Sequence, residues 1–156
     1  EEQIFELIEA IFSQNPLYKS ISFAQFKLLY NHSFAKKLCP YSSVIFRDKE
    51  TGQLAAISLC YPDYNTLPSG TSSPDFATDF IKLDKKILLA KTVGVHPKYR
   101  KQGLMNYMGA YGMLSFRNYY DEVIFCLMRS DNFSLHFTNN IPHEKAKYVL
   151  YEKRVD

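Results

Sequence analysis

The chain has 156 residues, 46% of them hydrophobic, and a formal net charge of +3. That length suits one domain with its own core, read here as 1–156, and the mild charge gives no case for a nucleic-acid partner. No apolar run approaches the length of a bilayer and no signal peptide is visible, so no membrane partner is expected either. Cys39, Cys60 and Cys126 form neither an even disulfide framework nor a metal-binding spacing. Reduced thiols and a cytoplasmic home follow as the expectation.

QIFELIEAIFS, residues 3–13, sets Ile4, Leu7, Ile8 and Ile11 at helical spacing, and Phe5 and Phe12 widen the stripe. Asn15 and Pro16 end this helix. A second helix starts at Ser22, which with Gln25 has the form of a capping box. Phe23, Phe26, Leu29 and Tyr30 repeat at helical intervals, and the helix should stop before Pro40. SSVIFRDKETGQLAAISLCYPDY then reads as an antiparallel hairpin, with strands 43–47 and 53–61 around the turn-rich DKETG.

NTLPSGTSSPDFATD, residues 65–79, is polar and too long for a tight turn, and loops of this length often carry function. KKILLAKTVGV supplies a strand over 87–95, in which Gly94 marks a bulge or a close backbone approach. Residues 103–119 read as a long helix that buries Leu104, Tyr107, Met108, Tyr111 and Leu114. Gly109 and Gly112 lower its helix propensity and imply tight packing against a sheet. EVIFCLM (122–128) is a buried strand, SDNFSLHFTNN (130–140) a short capped helix, and KAKYVLYEK (145–153) a closing strand. This order predicts an α/β fold with an antiparallel first half and a right-handed parallel crossover from residue 87 to 128.

The chemistry concentrates at TVGVHPKYRKQGLMNYM, where Arg100, Lys101 and Gly103 stand at the mouth of a helix. A helix start presents unpaired N–H groups and the positive end of the dipole, an arrangement that suits phosphate. The N–H groups of 101–106 would converge on a pyrophosphate, and Gly103 would let it come close.

VHPKYRKQGLM resembles the signature V-x-P-x-[YF]-[RQ]-x-x-G-x-[GA] of the GNAT superfamily of acyl-CoA-dependent N-acetyltransferases. Val95, Pro97, Tyr99, Arg100 and Gly103 match, while Met105 replaces the final small residue and should narrow the turn. The element order is similar from Ile4 to Arg154, and the family's usual first strand would precede Glu1, either missing or upstream of it. PDYN at Pro62, Asp63, Tyr64 and Asn65 and the tail YVLYEK resemble a loosely characterised bacterial branch.

The resemblance implies a mixed, mainly antiparallel twisted sheet, a parallel strand–helix–strand crossover that binds coenzyme A, and helices on both faces. It places the pyrophosphate on Arg100, Lys101, Gln102, Gly103, Leu104 and Met105, and the pantetheine arm against Val93 and Val95. The Val95 N–H would polarise the acyl carbonyl. SDNFSLHFTN takes the place of a family helix, in its best register with Asp131, Ser134 and Phe137 at the motif positions and, shifted by one residue, with Asn132 first; Asn132 and Ser134 would also hold the cofactor. The implied reaction transfers an acyl group, acetyl in the first instance, from acetyl-CoA to an unidentified primary amine, and a homodimer is compatible with it.

The acid and base are not in their family places. Leu89 stands where some members carry a glutamate, and Thr138 where many carry an acidic tyrosine. Asp63, Tyr64 and His96 are the substitutes, although Asp63 also reads as a turn residue and His96 as a turn cap. Gly94 reads as the bulge that admits pantetheine, against simple steric relief. The missing pair leaves a second function open, a coenzyme A-binding sensor or interaction module with little transferase activity.

Overall fold

A computed structural model of the chain describes residues 1–16, 18–68, 71, 73–126, 128, 130, 135 and 138–149. Helix α1 (Glu2–Phe12) buries Leu7, Ile8 and Ile11, the stripe expected from its spacing. Helix α2 (Phe23–Leu29) opens on a complete capping box, in which the Gln25 N–H donates to Ser22 Oγ and the Ser22 N–H donates to Gln25 Oε1 at 2.9 Å. The helix does not run on toward Pro40. Asn31 Oδ1 accepts from the Phe34 N–H at 3.0 Å and starts a separate helix α3 (His32–Lys37), because an asparagine offers the backbone an alternative to helix continuation.

Strands β1 (Val44–Arg47) and β2 (Leu54–Pro62) form the expected hairpin. Asp48 Oδ1 accepts from the N–H groups of Glu50 and Thr51, and Gly52 supplies the positive φ that closes the turn. The polar stretch after β2 is more structured than its composition suggests. It holds a 3-10 turn at Tyr64–Thr66, a short helix α4 (Phe76–Asp79) capped by Asp75, and a second 3-10 turn at Phe80–Lys82. Strand β3 (Ile87–Val95), helix α5 (Leu104–Phe116) and strand β4 (Glu122–Phe125) follow.

The four strands form one sheet in the order β1-β2-β3-β4. The first two pairings are antiparallel, and β3 pairs with β4 in parallel across α5. Helices cover both faces. On one, Leu7, Ile8 and Ile11 of α1 and Phe26 of α2 pack on Ile57 and Leu59. On the other, Met108 of α5 packs with Ala56, Val95 and Tyr99, and Phe116 with Leu88 and Ala90. Among the described residues no helix is long and apolar enough to cross a membrane.

Three expectations about the second half need correction. Helix α5 turns Leu104, Met108 and Phe116 toward the sheet and leaves Tyr107, Tyr111 and Leu114 72%, 47% and 66% exposed. Its sequence is apolar on most sides, so periodicity alone does not choose the buried face. Strand β4 ends at Phe125, short of residue 128. Residues 145–149 carry no strand, and Tyr148 is 79% exposed; the rest of the expected closing strand lies outside the described residues, as does most of the 130–140 helix.

Gly94 also has a different role from the expected bulge. The β2–β3 register passes from Leu59 opposite Thr92 to Cys60 opposite Ala90, so Lys91 is the extra residue. Gly94 instead lies under α1, where a Cβ would overlap Cγ2 of Ile11. A β-branched side chain in a helix has little rotamer freedom to give way. Gly94→Ala is expected to cost about 1–3 kcal/mol by overpacking, measured by denaturant titration. The same change in an Ile11→Ala background should cost much less.

A polar clamp joins the hairpin turn to the residues after β3. His96 Nδ1 accepts from the Lys98 N–H and opens a 3-10 turn, Pro97–Tyr99. Tyr99 is buried, and its hydroxyl donates to Asp48 Oδ2 at 2.8 Å. The Thr51 backbone N–H and the Tyr99 hydroxyl hold the Asp48 carboxyl below its usual range. A carboxyl depressed in the folded state stabilises the fold above its unfolded value, near about 3.9, and loses that contribution as pH falls through the folded value. Stability profiles should therefore show a smaller loss on acidification in Asp48→Asn than in the parent.

Candidate functional site

Strand β3 organises the site through the direction of its backbone groups. The His96 N–H donates to Ala55 O at 2.9 Å, with Val95 opposite Ala56 and Val93 opposite Ser58. Antiparallel geometry then turns the N–H and C=O groups of Val93 and Val95 away from β2. On that outer side β4 pairs only with Ile87, Leu88, Leu89 and Ala90. Beyond Ala90 the outer edge of β3 meets no strand among the described residues, so the two parallel strands part there.

At the far end of this edge stands the basic turn. Lys101 has φ +66° and Gly103 φ +75°, both left-handed. Such a conformation costs a lysine more than a glycine. The Arg100 N–H is taken by Pro97 O, and its guanidinium bonds Val95 O and Ile11 O, each at 3.2 Å. Arg100 thus ties the turn to the end of β3 and to the last turn of α1, whose carbonyls favour a cation. Gly103 gives α5 no side-chain cap, and no acidic residue lies in its first turn.

The Asn106 N–H bonds Gly103 O, so it is not offered to a ligand as the sequence reading had it. The N–H groups of Lys101, Gln102, Gly103, Leu104 and Met105 meet no acceptor among the described residues. Lys101, Gln102 and Gly103 are exposed. Leu104 and Met105 pack downward on the cluster of Ala56, Val95 and Tyr99. The Met105 side chain therefore lies beneath the turn and does not narrow its mouth.

At the near end of the open edge lies a cavity of about 550 Å³. The sheet contributes Tyr61, Leu89, Lys91 and Thr92. Helices α2 and α3 contribute Tyr30, Phe34 and Lys37, and the loop after β2 closes one side with Asp63 and Tyr64. The bulge explains part of this wall, because an extra residue breaks the alternation of faces and brings Lys91 and Thr92 to the same side. From Thr92 to His96 the strand advances roughly 13 Å, the distance from the cavity to the start of the turn.

Asp63 and Tyr64 both reach the cavity, each with a structural task. Asp63 Oδ1 caps the following 3-10 turn through the Asn65 N–H at 3.1 Å. The Tyr64 hydroxyl donates to Lys37 O at 2.9 Å and pins the loop to α3. Burial pushes the Tyr64 phenol well above its usual range, which disfavours the phenolate. His96 lies elsewhere, in a small cleft of about 110 Å³ against Gln3, Glu6 and Gln53. Leu89 is on the cavity wall, so the place of the absent glutamate does face the cavity.

Thr138 is buried and donates to Leu135 O at 3.3 Å. Asn132 and Ser134 lie outside the described residues. Among the described residues no cluster of His, Cys, Asp and Glu could hold a metal ion. The sequence leads to the expectation that the first two helices and the loop from Tyr61 to Asp84 shape the acceptor pocket, and Tyr30, Phe34, Lys37 and Tyr61 do line the cavity, whereas no sequence signal marks Lys91. The aromatic repeat of α2 was visible but read as core, and nothing local links Lys37 to Lys91.

No protein-family model matches the chain, and no curated protein matches it. Solved structures do. An aminoglycoside acetyltransferase from an uncultured soil metagenomic sample, crystallised with sisomicin, aligns over 99% of this chain and 88% of its own, at 15% identity and a TM-score of 0.52. An acetyltransferase from Trypanosoma brucei aligns over 98% and 92%, at 15% identity and a TM-score of 0.57. Glucosamine-6-phosphate N-acetyltransferase from Arabidopsis thaliana aligns over 96% and 88%, at 14% identity and a TM-score of 0.58. The strand order, the parallel crossover and these alignments agree: the chain has the fold of the GNAT acetyltransferases.

Proposed function

We propose that the chain transfers an acyl group, acetyl in the simplest case, from acyl-CoA to a primary amine seated in the cavity. One observation carries this reading. Among the described residues the outer edge of β3 meets no strand from the cavity to an uncapped helix start, so a single extended ligand could use both ends. The N–H groups of Lys101, Gln102, Gly103, Leu104 and Met105 would hold its pyrophosphate, with no carboxylate in the first turn of α5 to oppose it. Val93 and Val95 would pair with the amide-bearing arm as a neighbouring strand does. Asn132 and Ser134 are further contacts by family resemblance.

Bound acyl-CoA supplies a thioester carbonyl to the amine and a thiolate as leaving group. The chain supplies position and an N–H donor, assigned to Val95, aimed at the oxygen that gains charge. Leu89 cannot take a proton, Asp63 is engaged as a cap, and Tyr64 is held as a neutral donor. Deprotonation of the amine then falls to water and bulk pH.

Calorimetry on Gly103 variants tests the cofactor site. Aspartate and asparagine both tolerate a left-handed φ better than other L-residues, so the pair separates charge from strain. Gly103→Asp should weaken coenzyme A binding about tenfold or more, since a like charge near a phosphate costs of order 1 kcal/mol even in water and more when partly shielded. Gly103→Asn should keep most of the affinity. A folded Gly103→Asp protein that binds as the parent does would contradict the site. Tight binding without thiol release on any amine would favour the sensor or interaction module.

The pH profile tests the acid–base reading. Turnover should rise with pH as the amine deprotonates, with no falling limb. Asp63→Asn keeps a side-chain oxygen for the cap and should change turnover by less than about tenfold. An acidic limb that disappears in Asp63→Asn would make Asp63 the base.

A further inference from the structure

The chemistry of the cavity wall narrows the amine that fits it. Two lysines line it, Lys37 and Lys91, and one carboxylate, Asp63. Elsewhere the chain neutralises lysines locally: Lys36 pairs with Asp75 at 3.4 Å, Lys82 with Asp79 at 2.7 Å and Lys85 with Glu122 at 2.6 Å. Neither cavity lysine's ammonium group has a hydrogen bond or ion pair among the described residues, and the bond from Tyr64 reaches only the Lys37 backbone carbonyl. Asp63 already receives the Asn65 N–H. The wall therefore carries a surplus of positive charge with donors to spare, beside the aromatic faces of Tyr30, Phe34 and Tyr61.

Their rings meet edge to face, Tyr30 with Phe34 at 4.9 Å and Phe34 with Tyr61 at 6.5 Å between centroids. Such a surface suits a flat apolar group. Lys91 reaches the wall by ordinary alternation from Leu89, and the bulge after it brings Thr92 to the same face. A polycation entering here would meet like charge and lose hydration without gaining partners.

Resting on the acyl-transfer reading, we infer that the acceptor is an amine that also bears an anionic group on an apolar or aromatic body, with the anion held by Lys37 and Lys91. An aromatic amino acid has this chemistry. A sugar amine with a phosphate shares the anion but not the flat apolar surface, and an aminoglycoside has neither.

Thiol release from acetyl-CoA would be measured with phenylalanine, phenethylamine, glucosamine 6-phosphate and sisomicin. Phenylalanine should exceed phenethylamine and sisomicin in kcat/KM by about tenfold or more, the effect of one or two charge-assisted hydrogen bonds. Glucosamine 6-phosphate should fall between, and outranking phenylalanine would overturn the aromatic body while keeping the anion. Lys37→Met and Lys91→Met should each raise the KM for phenylalanine and leave that for phenethylamine and for acetyl-CoA unchanged. A rise in the acetyl-CoA KM instead would assign the lysines to the donor and overturn the inference.

Equal or better use of phenethylamine or sisomicin would overturn it while leaving acyl transfer intact. If no amine is acetylated, acyl transfer itself fails, and binding decides the acceptor chemistry separately. Calorimetry with N-acetylphenylalanine and N-acetylphenethylamine should then still favour the carboxylate by about tenfold, and equal or absent binding would overturn the inference.

Discussion

Among the described residues, strand β3 pairs with β2 from Leu88 to Val95, apart from the bulge, and with β4 over its first four residues only. The rest of the structure's chemistry depends on that mismatch. A strand edge carries backbone donors and acceptors that need partners. Val93 turns both of its groups and Val95 its N–H toward the gap, while Arg100 holds the Val95 carbonyl, and a ligand with amides of its own can take the place of a strand there. Had β4 continued beside them, the edge would be closed and the cavity separated from the helix start. The bulge at Lys91 belongs to the same design. It resets the alternation once, so that Val93 and Val95 face α5 while Lys91 and Thr92 face the cavity.

The turn after β3 is the second requirement, and it is held from outside. Two left-handed sites with one residue between them, Lys101 and Gly103, would not persist in an isolated peptide without support. Support comes from Arg100, which bonds carbonyls of β3 and α1, and from Tyr99, whose hydroxyl reaches Asp48 in the hairpin turn. Leu104 and Met105 then anchor the start of α5 to the sheet. Helix α1, the hairpin and α5 thus all converge on the few backbone N–H groups left unbonded. Arg100 contributes here by building the turn, and its guanidinium is already engaged.

Local chemistry was legible in the sequence, and non-local geometry was not. The Ser22–Gln25 box, the DKETG turn and the 87–95 strand each declare themselves within a few residues, and the structure has all three. Asn31 and Asp75 cap helices by the same local chemistry and were passed over, because the surrounding pattern read as one helix and one loop. The bulge was expected at Gly94, where a missing Cβ draws attention. It falls at Lys91 because register is set by pairing with β2, and Gly94 answers instead to Ile11, a residue far away in the chain. The cavity charge has the same origin, since Lys37 of α3 and Lys91 of β3 come to one cavity wall only in the folded chain. The strand–turn–helix join at Val95–Met105 was legible because its proline, its left-handed glycine and the ends of both elements fall within one short segment.

On the proposed reading, one extended ligand would occupy the outer edge of β3 and the start of α5 together. Backbone amide hydrogen exchange, resolved by residue with and without acetyl-CoA, tests it directly. The account predicts slowed exchange at Val93, Val95, Gly103, Leu104 and Met105 on addition of acetyl-CoA, with β1 unchanged. Exchange unaltered at both Val93 and Val95, or slowed only at residues remote from the turn, would contradict it.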